Sequence, residues 1–248
     1  YIHKYYYNLS IEDGYTLKLI REGIETTYKT RLKDILDQIE LLQGSANKKI
    51  VYAHPKYVEP LTDYIIEDFT KSRIRLGDDS IGGMVVCESS DQAKELYNFI
   101  CEKYPEIKAA LILHDVDDKT IRRNNRDDFK RGIIDLHIVY NMLLTGFDAK
   151  RLKKLYLNRV VKDHNLLQTL TRVNRPYKEF RYGFVVDFAD IRHEFDKTNE
   201  AYFRELQEEI GDEWEQYSNL FKSAEEIEAE IAEIKEKLFY FDIQNAEK

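Results

Sequence analysis

The sequence predicts an α/β fold: a mostly parallel sheet with helices on both faces, followed by a small α-helical region. Three observations predict it. Short, near-continuous apolar runs recur between residues 82 and 187, as in "GGMVVCES", "KAALILH" and "YGFVVDF". Helical segments or short turns separate them, and strands that are apolar on both faces mark a parallel sheet covered by crossover helices. After Asp190 the apolar strands stop, and "DKTNEAYFRELQEEI" and "SAEEIEAEIAEIKEKLFYF" read as acidic amphipathic helices.

Each element has a local reason. Residues 16–21, "TLKLIR", read as a short strand. Leu32, Ile35, Leu36, Ile39 and Leu42 recur at helical spacing over 26–43, and Gly44-Ser45 ends that helix. A second helix covers 56–71. "GGMVVCES" is a buried strand, and "SDQAKELYNFICEKY" a helix capped by Ser90 or Asp91. "KAALILH" is the next strand. "DDKTIRRNNRDDFKRG" is a polar helix entered at Asp117 or Asp118 and closed at Gly132. "IIDLHIVYNML" and "LKKLYLN" are strands, "HNLLQTLTRVNR" a helix and "RYGFVVDFAD" the last strand. The segmentation predicts a lead-in over 1–80, an α/β domain over 81–190 and a helical region over 191–248.

Composition narrows the class. Of 248 residues, 43% are hydrophobic and 34% charged. Mean hydropathy is −0.58. That supports a core with well-solvated helices. No apolar run approaches the ~18 residues of a membrane helix. The opening "YIHKYYYNLS" has neither the pattern of a signal peptide nor an initiator methionine. It reads as the start of a piece of a longer, cytoplasmic protein. Cys87 and Cys101 lack metal-ligand spacing and are expected to be buried thiols. The net charge of −8 argues against a surface that binds nucleic acid everywhere, but not against a local basic face. Basic residues crowd 150–162 and 172–181, while acids crowd 200–236.

Ligands of parallel α/β sheets sit beyond the carboxyl ends of the strands. Three segments are expected at that edge. Ser89 and Ser90 follow a strand and open a helix, where hydroxyls and free N–H groups suit a phosphate, or simply form a cap. Thr145 and Gly146 end a strand, with Asp148 two residues on. Gly146 would let the backbone approach a ligand, and an ordinary Gly-Asp turn is the plainer alternative. In "QTLTRVNR", helical spacing places Gln168, Arg172 and Arg175 within roughly 60° of one another. Two guanidiniums in a stripe without an acid suit bidentate phosphate contact. The mixed His and Asp of "HDVDD" read as a helix cap rather than a metal site.

In order, "VVCESSDQAKEL", "MLLTGFDAKRLKKLYLNR" and "HNLLQTLTRVNRPY" resemble motifs IV, V and VI of superfamily 2 helicases. With "YGFVVDFADI" added, the wording resembles the motor (R, HsdR) subunit of type I restriction-modification enzymes, over at least 82–191. The resemblance implies a RecA-like (P-loop NTPase-type) fold and identifies 81–190 as the second RecA-like domain. It implies that the intact subunit hydrolyses ATP with Mg between two such domains, translocates double-stranded DNA, cuts DNA through a separate nuclease domain and works with methyltransferase (M) and specificity (S) subunits. By position, Arg172 and Arg175 would be arginine fingers toward the γ-phosphate. Gln168, Asp148 and Gly146 would serve the nucleotide side; Ser89, Ser90 and Thr145 would touch the DNA backbone.

Parts of such a machine are missing from the sequence. None of the ten glycines precedes a lysine, so no phosphate-cradling Gly-Lys-Ser/Thr loop exists here. No Asp-Glu-x-Asp/His motif appears, and "PEIK" at 105–108 lacks the acids of a nuclease site. ATP and Mg are therefore expected to be held mainly by another domain, leaving this chain inactive alone as ATPase or nuclease. Two other readings stay open: the second motor domain of another superfamily 2 DNA helicase, and a non-catalytic RecA-like scaffold.

Overall fold

The computed structural model describes residues 18–24, 26–43, 48–114, 118–143, 147–161, 163–180, 182–189 and 227–233. Six strands form one parallel sheet: β1 (Lys18–Gly23), β2 (Gly82–Val86), β3 (Ala109–Ile112), β4 (Leu136–Val139), β5 (Leu152–Leu157) and β6 (Tyr182–Asp187). Their spatial order is β1-β6-β5-β2-β4-β3, and every pairing is parallel. The helices are α1 (Thr26–Gln43), α2 (Lys48–Tyr52), α3 (Pro55–Leu76), α4 (Ser90–Lys103), α5 (Lys119–Arg131), α6 (Asp163–Leu170) and, in the acidic tail, α7 (residues 227–233).

Two apolar layers sandwich the sheet, because successive strand residues point to opposite faces. On one face Met84, Val86, Ile112 and Leu155 pack under Phe129 of α5 and Leu166 of α6. On the other, Val85, Leu111, Ile138 and Tyr156 pack under Leu32 and Ile39 of α1, Phe69 of α3 and Leu96 of α4. The lead-in is thus built into the sheet: β1 is an edge strand beside β6, and α1 to α3 cover one face.

The helix ends follow their capping chemistry. Ser89 caps α4, accepting from Gln92 N at 3.1 Å. Asp118 caps α5 through Thr120 N and Ile121 N, and Gly132 closes that helix at φ 86°. The expected caps at Ser90 or Asp91 are therefore one or two residues late. The cap expected at Asp118 is found.

Other expectations need correction. The strand expected over 133–143 is only Leu136–Val139. The helix expected over 164–175 ends at Leu170. Beyond it, Pro176 disfavours helical geometry at Arg175, and the Lys153 Nζ takes up the carbonyls of Val173 and Arg175. Cys87 is buried, but Cys101 is exposed, because it falls one residue past Ile100 on α4 and outside the buried stripe.

Several basic residues of the 150–162 cluster are internal. Arg151, 4% exposed, sends Nε to Ser80 O at 2.7 Å and Nη1 to Phe129 O at 2.8 Å and Ile134 O at 2.6 Å. Lys154, 1% exposed, pairs with Glu22 of β1 and, at 2.9 Å, with Asp68 of α3. Across the β1–β6 pair, Arg21 donates to Asp187 Oδ2 at 2.7 and 2.9 Å.

Candidate functional site

The expected site residues divide between opposite ends of the sheet. Ser89 follows the last residue of β2 at the carboxyl end. Its hydroxyl is committed to the α4 cap and is nearly fully buried, while Ser90 is half-buried. Thr145 and Gly146 lie outside the described residues. Asp148, Arg172 and Arg175 come together elsewhere, beside the first residues of β5 and β6. The Lys153 Nζ, at the second position of β5, bonds the carbonyls of Val173 and Arg175. Val173 O lies where a Cβ on Gly183 of β6 would be, 2.3 Å away. The sequence-based expectation that all three segments share the carboxyl edge is thus corrected. Helix α6 descends from the end of β5, so the turn after it must lie near the strands' beginnings.

Within this turn the two arginines differ. Arg172 is half-buried and sends Nη1 to Phe147 O at 2.8 Å. Burial pushes its pKa below the ordinary guanidinium value, the neighbouring Arg175 charge adds to this, and Asp148 opposes it. Arg175 is more open, its side chain 47% exposed, with Nε 3.7 Å from Asp148 Oδ1. An exposed ion pair this long contributes little to stability. Its guanidinium can exchange that carboxylate for a better anion. Gln168 sits half-buried near the end of α6, and its carbonyl accepts from Thr171 Oγ1 at 2.9 Å.

Sequence reasoning missed Lys153. It is fully buried, its hydrogen bonds among the described residues go to main-chain carbonyls, and burial lowers its pKa to about 7. It fixes the backbone of Arg175 from beneath. Its only signal was a second lysine inside an apolar strand, where alternation must turn one of the pair to each face of the sheet.

Among the described residues no group of three or more His, Cys, Asp or Glu could hold a metal ion. None of the described helices is long and apolar enough to cross a membrane.

Known proteins resemble this chain. The family pattern described as type I restriction enzyme subunit R domain 3 matches residues 87–190. The type I restriction enzyme MjaVIIP endonuclease subunit of Methanocaldococcus jannaschii is 28% identical over 279 aligned positions, covering 92% of this chain and 26% of that protein. The MjaIXP endonuclease subunit of the same organism is 32% identical over 168 positions, covering 62% of this chain and 16% of that one. The chain therefore spans about a quarter or less of these relatives. A solved fragment described as an HsdR subunit of a type I restriction enzyme from Vibrio vulnificus YJ016 matches with a TM-score of 0.51, over 75% of this chain and 35% of that one, at 14% identity. At that identity the likeness concerns the fold, and the fold is RecA-like.

Proposed function

The chain is like the R (HsdR) subunit of type I restriction enzymes, and from that premise we propose that it supplies the arginine side of an ATP-driven DNA motor. One observation carries the reading: Arg172 and Arg175 share a turn with Asp148, one anchored and the other loosely paired and open to an anion. Two guanidiniums so placed suit the charge that builds up on a transferring γ-phosphate.

In this reading ATP and Mg are held mainly by another motor domain of the intact subunit, and Arg172 and Arg175 reach across to the nucleotide. Gln168, Asp148 and Gly146 serve the nucleotide side. Ser89, Ser90 and Thr145 face the backbone of double-stranded DNA, and the M and S subunits are the partners. The relatives' names, all endonuclease subunits of type I restriction enzymes, favour this over another superfamily 2 helicase.

The test is ATP turnover in the intact subunit. Arg172→Ala or Arg175→Ala should lower it by about 10³-fold or more, the range of arginine fingers. The 248-residue chain alone should show none. Unchanged turnover in both variants, each shown to be folded by circular dichroism, would refute the reading. So would ATP hydrolysis by the chain alone.

A further inference from the structure

At the carboxyl end of the sheet, away from the arginine turn, lies a cleft of about 650 Å³. Its position is set by topology. From β2 the chain passes through α4 toward β3, while from β5 it passes through α6 toward β6, in the opposite direction along the sheet. Where neighbouring strands send their connections opposite ways, a crevice opens beyond their carboxyl ends, and ligands of open α/β sheets bind there. Glu88 after β2 and Asn158 and Arg159 after β5 line this cleft, and α1 and α2 form its outer wall.

The lining chemistry is specific. Asn158 is 4% exposed, yet neither its Oδ1 nor its Nδ2 has a hydrogen-bond partner among the described residues. A buried amide left with both functions unsatisfied is rare in native proteins and costly. It calls for a ligand that presents a donor beside an acceptor. Next to it the Arg159 guanidinium stacks over the Tyr140 ring, 4.8 Å from the centroid, and its buried Nε has no hydrogen-bond partner among the described residues. Lys29, Lys33 and Lys49 add positive charge, against the single carboxylate of Glu88 among the described lining residues. Tyr52 and Phe188 offer flat apolar surface. The volume is that of a small-molecule site, typically ~300–1,000 Å³.

We propose that this cleft binds a nucleotide, its base edge against the Asn158 amide and its phosphate among Arg159 and the three lysines. An asparagine amide matches the adjacent donor and acceptor of an adenine edge, aromatic rings take a base face, and guanidinium and ammonium groups take phosphate. The nucleotide is either free or one unit of a DNA strand, with the same chemistry. The assignment rests on the cleft itself and stands whether or not Arg172 and Arg175 face ATP.

Calorimetric titration of the 248-residue chain with dAMP and with a short oligo-dA strand tests it. Saturation by dAMP identifies a free-nucleotide site, and saturation by the oligonucleotide alone identifies a strand unit; either supports the proposal. Asn158→Leu should weaken the binding probe by about 10- to 100-fold, the worth of a bidentate amide–base contact. Without probe it should keep or raise Tm, because leucine of similar size removes two unpaired polar groups. An asparagine kept only for structure would lose Tm instead. Ribose 5-phosphate, which lacks a base, should bind wild type and Asn158→Leu alike. Arg159→Gln, at a partly exposed position, is the second variant and should weaken every phosphate-bearing probe. The proposal is overturned if neither dAMP nor oligo-dA saturates the folded chain, or if both variants bind as wild type does.

Discussion

Lys153→Met isolates the cost and the use of a buried ammonium. Lys153 is fully buried on β5, and burial lowers its pKa from 10.5 to about 7. The unfolded chain keeps this proton up to about pH 10.5, whereas the folded chain releases it near pH 7. Between those values the unfolded state binds more protons, so stability rises with pH across that window. The slope for one such group is roughly 1.4 kcal/mol per pH unit, and the full span amounts to roughly 5 kcal/mol. Methionine fills much of the same volume without a charge, but leaves the carbonyls of Val173 and Arg175 without their donor, at about 1–3 kcal/mol for each that stays buried and unpaired. Near pH 7 these opposing effects largely offset each other, and the variant should differ modestly from wild type. Above it, wild type should gain on the variant by roughly 1.4 kcal/mol per pH unit. Urea unfolding followed by far-ultraviolet circular dichroism, at intervals from about pH 6 to about pH 10, reads the difference directly. Stability curves for the two proteins that run parallel with pH would refute the reasoning.

Two further predictions use other tight points. In Gly183→Ala the new Cβ would stand 2.3 Å from Val173 O and 2.7 Å from Val173 C; main-chain atoms cannot swing aside, so Tm should fall by the equivalent of ~1–3 kcal/mol, and an unchanged thermal melt would contradict the close approach. His137 stacks 4.2 Å from Phe129, and burial lowers its pKa from 6.5 to about 3. The unfolded chain therefore binds the proton first as pH falls, and stability should decline from about pH 6.5 toward pH 3 by up to roughly 1.4 kcal/mol per unit. His137→Phe should remove that part of the acid dependence in urea titrations, and an identical acid profile would rule out a neutral buried ring.

What was legible in the sequence was what is decided locally. β2 to β6 could be read because strands buried on both faces are almost wholly apolar. Asp118 and Gly132 could be read because capping depends on a few adjacent residues. The five-residue α2, "KKIVY", carries too little pattern to be seen. The end of α6 depends on Lys153, about twenty positions upstream in the chain. Arg151, Lys153 and Lys154 were legible as charges at the start of a core strand, but not with their partners, because composition counts charges alone. Those partners are carbonyls and carboxylates that only the fold brings near. The turn joining Asp148, Arg172 and Arg175 was legible as a set of residues, but not as a place: spacing says which residues recur, whereas crossover direction decides at which end of the sheet they gather. Asn158 gave no signal, since a buried amide without partners is defined by its neighbours.

The parallel pairing of β1 with β6 sets a timetable for synthesis. Arg21 and Asp187, joined across that pair, are 166 residues apart in the chain. At typical elongation rates of about 5–20 residues per second, β1 leaves the ribosome roughly 10–30 seconds before its neighbour exists. During that interval its hydrogen-bonding edge is open, and Leu19, later wholly buried, lacks its final packing. The strand made first completes the sheet last. The charges beside Leu19, Arg21 and Glu22, which later meet Asp187 and Lys154, keep the waiting segment soluble and discourage it from pairing with another chain.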